Sequence, residues 1–347
     1  YFSKTLCKMK NVLIIAEAGV NHNGDINRAL ELIRLASEAG ADYVKFQTFK
    51  TELIISKAAK KAAYQISSTG GGESQYDMVK KLELSFDDFV RLKSECQAQN
   101  IGFLSTGFDE PSIEFLQGLN IDLFKIPSGE LTNKPYLKLI ARTGKPIVMS
   151  TGMADLAEIA SAISIITEEG VTKDNITVLH CNTEYPTPMK DVNLLAMNQI
   201  KSEFGVKVGY SDHTLGIEVP IAAVALGAEV IEKHFTTDKN LPGPDHAASL
   251  EPDELKAMVN AIRNIELAVG GSGLKEASDS ERKNIEIARK SIHLKKSLKK
   301  GDTIRHEDLI MMRPGDGISP MEIDQVIGKV VLKDLTEESK LGWEDIA

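Results

Sequence analysis

Cysteine is scarce in this chain. Its three residues, Cys7, Cys96 and Cys181, stand far apart with no C-x-x-C pair. An odd, dispersed set excludes a disulfide scaffold and points to reduced thiols in the cytoplasm. Long apolar runs are missing too: no stretch reaches the roughly 18 residues a membrane-spanning helix needs. The segment before Met9, "YFSKTLCK", lacks the apolar core of a signal peptide. Met9 is a candidate natural start, and residues 1–10 read as an N-terminal extension. Positive charge is in deficit, with 41 Lys and Arg against 50 Asp and Glu and a net charge of −9. That balance excludes the basic face of a nucleic-acid binder. An anionic substrate would need a locally basic pocket, so single lysines carry weight. No G-x-G-x-x-G follows the first apolar run, which removes the simplest dinucleotide site.

What is present is alternation. Short β-rich runs at 11–19, 43–49, 101–107, 122–129, 146–151, 176–182, 206–213 and 229–236 are separated by helical patterns. The helical patterns include 25–39, 86–99, 154–169, 193–204 and 253–269. In the first, Ile26, Leu30, Ile33 and Ala36 or Leu35 share a face and Gly40 marks the stop. Eight βα units are the number that closes a parallel barrel, and about 260 residues is its usual size. An open doubly wound sheet shows the same alternation and is the competing fold. We expect an α/β chain: a (β/α)8 TIM barrel over 11–272, a polar linker over 273–286, and a small β-rich module over 287–347. Residues 50–84, with "SSTGGGESQY", exceed a plain βα connection and read as a loop over the barrel mouth.

Barrel enzymes work at the carboxyl ends of their strands. Here those ends deliver Glu17; Lys45 and Gln47; Ser105 and Thr106; Lys125, Ser128 and Glu130; Ser150 and Thr151; His180 and Asn182 with Tyr185 beyond; Ser211 and His213; and His234. His213 and His234 lie 21 residues apart, about one strand–helix–strand unit. On neighbouring strands, about 4.8 Å apart, two imidazoles can share one divalent ion or simply hydrogen-bond within a polar mouth. Lys45 and Lys125 each interrupt an apolar strand, where an unpaired ammonium would cost several kcal/mol. They meet a carboxylate such as Glu17 or Glu130, or an anionic ligand. Asp245, in the proline-stiffened "LPGPDHAASL", is either a candidate acid or base or an ordinary turn residue. His246 beside it competes for the same assignment, and His22 in "NHNG" reads as loop structure. Arg313, in "MMRPGDG", is either a solvated loop residue or a bidentate donor presented to a barrel mouth.

The motifs "AEAGVNHNG", "KFQT", "KIPSGE", "STGM", "LHCNTEYPTP", "GYSDHT", "EKHFT" and "PGPDHAASL" together resemble the sialic acid synthase family. The C-terminal "KSLKKGDTIRHEDL" and "RPGDG" resemble that family's antifreeze-like (SAF) domain. The resemblance implies a cytoplasmic, domain-swapped homodimer of TIM barrel and SAF domain. Its expected reaction condenses phosphoenolpyruvate with N-acetylmannosamine to N-acetylneuraminate, releasing phosphate by C–O cleavage. The alternative is an N,N'-diacetyllegionaminate synthase using 2,4-diacetamido-2,4,6-trideoxymannose. It also implies roles. His213 and His234 would hold Mn2+, or another divalent ion such as Mg2+ or Co2+, to polarise the sugar aldehyde. Lys45, Lys125, Ser150, Asn182 and Ser211 would bind phosphoenolpyruvate. Glu17, Glu130 and Asp245 would act as catalytic carboxylates, and Gln47, Tyr185 and the second subunit's copy of Arg313 would contact the sugar. Some family members carry histidines around the second-strand motif, where this chain has Phe46 and Phe49. Less polar lining would suit a 6-deoxy sugar. Two rival readings are a class I aldolase with Lys45 or Lys125 as Schiff base, and a non-catalytic binding protein built on the C-terminal module.

Overall fold

The strands follow the apolar runs closely. In the computed structural model they are β1 Leu13–Gly19, β2 Tyr43–Thr48, β3 Gly102–Gly107, β4 Phe124–Ile126, β5 Ile147–Ser150, β6 Ile176–Cys181, β7 Lys207–Asp212 and β8 Val230–His234. The structure describes residues 11–62, 65–66 and 72–347. The N-terminal extension and parts of the 50–84 loop lie outside the described residues. All eight strands run parallel in one sheet of order β3-β2-β1-β8-β7-β6-β5-β4. Because β1 pairs with both β2 and β8, the order is cyclic, and β3 and β4 lie against each other to complete the ring. An open doubly wound sheet has no such pairing of first and last strands, so the expected barrel is the fold.

Helices at 26–39, 86–98, 156–168, 196–204 and 252–268 occupy the expected stretches, and others at 110–118, 134–141 and 218–225 complete the alternation. Helix Ile26–Ala39 shows how they are specified. Asp25 accepts the Asn27 N–H as N-cap, and Gly40, at φ 84°, supplies the left-handed stop. Its fully buried face is Ala29, Leu32, Ile33 and Ala36, with Ile26, Leu30 and Leu35 only packed along the edge. The apolar stripe is thus centred one residue away from the expected one. Fully burying a Leu or Ile contributes about 2 kcal/mol, so Leu32 and Ile33 anchor the helix.

Inside the ring, strand alternation builds two tiers. Ile15, Leu104, Leu123, Val148, Leu179 and Val230 pack into an apolar plug. Two residues further along those strands stand Glu17, Thr106, Lys125, Ser150, Cys181 and Glu232, all buried. Gly209 belongs to the plug as a gap: a Cβ there would come within 2.3 Å of the Val230 carbonyl oxygen. Intervening residues point outward into the helix layer. Lys233 is wholly buried there and pairs with Asp212 at 2.5 Å, while Asp212 also accepts from the Thr214 N–H and hydroxyl. This pair ties the ends of β7 and β8 directly behind His213 and His234.

The chain divides between Gly270 and Gly271 into two compact units. In the second, the expected linker is helical from Asp279 to Ala288. Strands β9 Ser291–Leu294 and β10 Leu309–Met312 pair antiparallel. Ile292, Leu294, Ile304, Val326 and Leu341 form its separate core. No described helix is long and apolar enough to cross a membrane.

Candidate active site

A cavity of about 480 Å³ opens at the carboxyl end of the barrel. A smaller one, about 280 Å³, lies at the opposite end among strand starts such as Leu13, Leu123 and Val230. Only the first gathers the expected side chains: Glu17, Lys45, Gln47, Lys125, Ser150, Tyr185, Ser211, His213 and His234 all line it.

Its floor is a charged quartet. Lys45 Nζ lies 2.8 Å from Glu17 Oε2 and 3.6 Å from Glu232 Oε2, and Lys125 Nζ lies 3.4 Å from Glu232 Oε1. Lys45 also donates to Thr106 Oγ1, Lys125 to Ser150 Oγ at 2.7 Å, and Ser211 to Glu232 Oε1 at 3.0 Å. Glu232 was not among the expected residues. It stands two positions before His234 on one strand, so period two places both on the inner face. Burial would raise Glu232, but Lys125 and Lys45 overcome it and hold the carboxyl at about 2. Burial lowers Lys125, opposed by Glu232. Lys45 is also desolvated, yet Glu17 and Glu232 raise it above the usual range. Glu17 is the odd member: burial outweighs Lys45 and pushes it up to about 7. Two cations therefore face one permanent anion and one carboxyl that titrates near neutrality.

That titration sets a pH dependence of stability. The folded chain retains on Glu17 a proton that the unfolded chain releases above 4.5. The stabilisation is full below 4.5 and is lost as pH rises through about 7. Glu17→Gln mimics the protonated form. Wild-type stability, measured by urea midpoints, should fall relative to the variant by about 1 kcal/mol per pH unit from pH 5 to 7 and level off above. A constant difference across that range would show that Glu17 is already ionised at pH 5.

Above the floor stand the two imidazoles. Ring centroids of His213 and His234 are 5.4 Å apart. His213 Nδ1 faces the Asn182 carbonyl oxygen, so it carries the proton and leaves Nε2 as acceptor, 3.0 Å from the Tyr185 hydroxyl. Tyr185 stacks on His213 with centroids 4.0 Å apart. Burial drives His213 down to about 4 and His234 well below its usual value, the latter aided by His213 and Lys45, so both are neutral at pH 7. His234 Nδ1 is buried without a hydrogen-bond partner, 3.9 Å from Asp245 Oδ2. Burial raises Asp245 to about 6. Neutral imidazoles, one oriented by a backbone carbonyl and one with an orphaned nitrogen, fit a shared divalent ion. The centroid spacing suits two rings bound through nitrogens about 2.1 Å from one centre. Among the described residues no group of three or more His, Cys, Asp or Glu is placed to hold an ion, so water and substrate would complete its shell.

Other expected residues stand apart from the cavity. Asn182 turns its side-chain oxygen to the Glu184 N–H, and its carbonyl, not its amide, serves the site. Glu130 accepts from Asn133 Nδ2 at the start of the next helix. His180 points outward to the Val192 carbonyl. His246 bonds Thr236 and Asn23, and His22 accepts the Gly24 N–H, which removes both from competition. Arg313 is exposed in the second unit, with Nε donating to the Ala288 carbonyl.

Residues 32–273 match the NeuB family and residues 289–347 match the SAF domain. The chain is 53% identical to the N,N'-diacetyllegionaminic acid synthase of Campylobacter jejuni over 330 residues, 95% of this chain and 98% of that protein. It is 49% identical to the protein of the same name from Legionella pneumophila, over 96% of this chain and 94% of that one. Among solved structures, the N-acetylneuraminic acid (sialic acid) synthetase of Leptospira borgpetersenii in complex with citrate is 36% identical. It superposes with a TM-score of 0.69 over 80% of this chain and 90% of that one.

Proposed function

We propose, from the premise that this chain belongs to the NeuB family and ends in an SAF domain, that it is a nonulosonic acid synthase. It would join phosphoenolpyruvate to the open-chain aldehyde of an N-acetylated mannosamine-type sugar and release phosphate. The observation that carries this reading is the two-level mouth: two buried lysines at the floor and two neutral imidazoles above them. An enol ester bearing phosphate and carboxylate needs the first, and an aldehyde awaiting attack needs the second.

Lys45 and Lys125 would grip the anionic groups, with Ser150 and Ser211 donating hydrogen bonds to them. Held there, carbon 3 of the enol ester attacks the aldehyde carbon. Water adds at carbon 2 and Glu17 takes its first proton, which ends on the oxygen of the former aldehyde; the carbon–oxygen bond to phosphate then breaks as carbon 2 becomes a carbonyl, and the second water proton leaves with the phosphate. His213 and His234 would hold a divalent ion, Mn2+ in the first instance, which supplies Lewis-acid polarisation of the aldehyde. Gln47, Tyr185 and Asp245 line the sugar side, and Glu130 would act from the rim. A homodimer in which the partner's SAF domain offers Arg313 to the sugar belongs to the same proposal, as does a cytoplasmic location consistent with free thiols at Cys96 and Cys181.

For the sugar, the two relatives at 53% and 49% identity favour 2,4-diacetamido-2,4,6-trideoxymannose over the expected N-acetylmannosamine. The test offers the enzyme phosphoenolpyruvate and Mn2+ with that sugar, with N-acetylmannosamine, or with its 6-phosphate, and records phosphate release. The diacetamido sugar should give the highest kcat/KM. Label placed in the bridging oxygen of phosphoenolpyruvate should leave with phosphate. If none of the three sugars is turned over, the reading fails.

A further inference from the structure

The backbone ladder between β7 and β8 stops one residue short of the imidazoles. Its last rungs set Ser211 opposite Glu232 and Asp212 opposite Lys233. His234 ends β8, whereas His213 lies just past the end of β7. One step further, the same register brings His213 opposite His234, but no rung of the ladder holds it there. Side chains do. Asp212 and Lys233 face the helix layer, wholly buried, with their charged ends 2.5 Å apart. Asp212 Oδ1 accepts the Thr214 N–H at 3.0 Å, which makes a turn with His213 at its centre. The Thr214 hydroxyl donates to the same oxygen at 2.8 Å, and Lys233 Nζ also donates to the Thr214 carbonyl oxygen. The residue before His234 therefore grips both the residue before His213 and the residue after it.

Resting on the synthase reading above and the divalent ion within it, we infer that the Asp212–Lys233 pair is a positioning device. It fixes the spacing of the two imidazoles and so sets the affinity for the ion. Stability alone does not account for it. A wholly buried ion pair gives little net stability over apolar side chains of the same volume, because each charge gives up its water. What the pair supplies is direction, because the ammonium is tied to acceptors on both sides of His213. Groups that support imidazole ligands from behind change metal affinity by about 10-fold to 100-fold when removed.

Two double variants test this. Asp212→Asn with Lys233→Met keeps an oxygen for the Thr214 N–H and cuts the link to β8. Asp212→Leu with Lys233→Met removes both. In calorimetric Mn2+ titrations the affinity should fall by about 10-fold in the first and approach a 100-fold loss in the second. Urea midpoints should stay near the wild-type value, as should phosphoenolpyruvate affinity, which reads the lysine floor. Thr214→Val, which removes only the hydroxyl, should weaken Mn2+ by about threefold, and it decides the matter if neither double variant folds. Arg263→Met is the control for a loosened barrel. Arg263 pairs with Asp42 at 2.8 Å and bonds Glu266 and the Val12 carbonyl oxygen, below the starts of β1 and β2. Its loss should lower the urea midpoint and leave Mn2+ affinity unchanged. Wild-type Mn2+ affinity in the folded variants of the pair and of Thr214 overturns the inference, as does a loss of equal size in Arg263→Met. Either result leaves the synthase reading standing, whereas a wild type that binds no Mn2+ removes the ion from that reading first and the pair's role with it.

Discussion

Lys125→Met should lower kcat/KM for phosphoenolpyruvate by about a thousandfold, mainly through KM. Lys125 donates to Ser150 at 2.7 Å and lies 3.4 Å from Glu232 on the cavity floor. Truncating one member of a buried, hydrogen-bonded charge pair costs about 2–5 kcal/mol, which at 1.4 kcal/mol per decade spans roughly 30-fold to several thousandfold. Two separate losses are folded into the variant. The ligand loses a cation, and Glu232 is left with the more distant Lys45 at 3.6 Å and the Ser211 hydroxyl. Adding Glu232→Gln removes the stranded carboxylate, so the double variant should regain most of the stability lost by the single one, read from urea midpoints. Its affinity for phosphoenolpyruvate should stay poor. Recovery of both stability and affinity would mean the lysine serves only the fold, and the anion site would have to be sought elsewhere.

Removing either imidazole should stop turnover by another route. His213→Ala and His234→Ala should each reduce kcat by about a thousandfold or more, because polarising a carbonyl is worth several kcal/mol. Wild-type enzyme treated with EDTA should lose activity and regain it with Mn2+, while the two variants stay inactive at any Mn2+ concentration. Phosphoenolpyruvate affinity in both should remain within about threefold of wild type, since the lysines on the floor are untouched. Direct Mn2+ titration by calorimetry should show one strong site in the wild type and none in the variants. Activity indifferent to chelator, together with borohydride trapping of substrate on Lys45 or Lys125, would instead establish the Schiff-base chemistry.

Much of this site was legible in sequence for a reason that can be stated residue by residue. A strand that is apolar at one position and polar two positions later, as in Ile15 and Glu17 or Leu123 and Lys125, declares both its inner face and the height at which the mouth begins. Glu232 obeys the same rule, two residues beyond Val230 of the apolar plug and two before His234. Lys233 and Asp212 show the rule's complement: one step out of phase, they face the helices and pair with each other. The rule stops where strands stop. Asn182 lends the site its carbonyl rather than its amide, Glu130 turns to Asn133, and Arg313 sits in the second unit. The small apolar cluster beside the mouth draws on Val20, Phe49, Leu82 and Phe108, which no periodicity connects.

The amino-acid order alone settled that eight parallel strands would each end in a polar group, because side-chain direction along a strand is a local property with a period of two. Which of those groups share charge, and which histidine nitrogen is left without a partner, were decided only by ring closure. That closure sets β8 against β1 and brings Met78 and Leu82 of the second βα connection to a cavity shared with His234, so distances between distant segments follow from packing rather than from spacing in the chain.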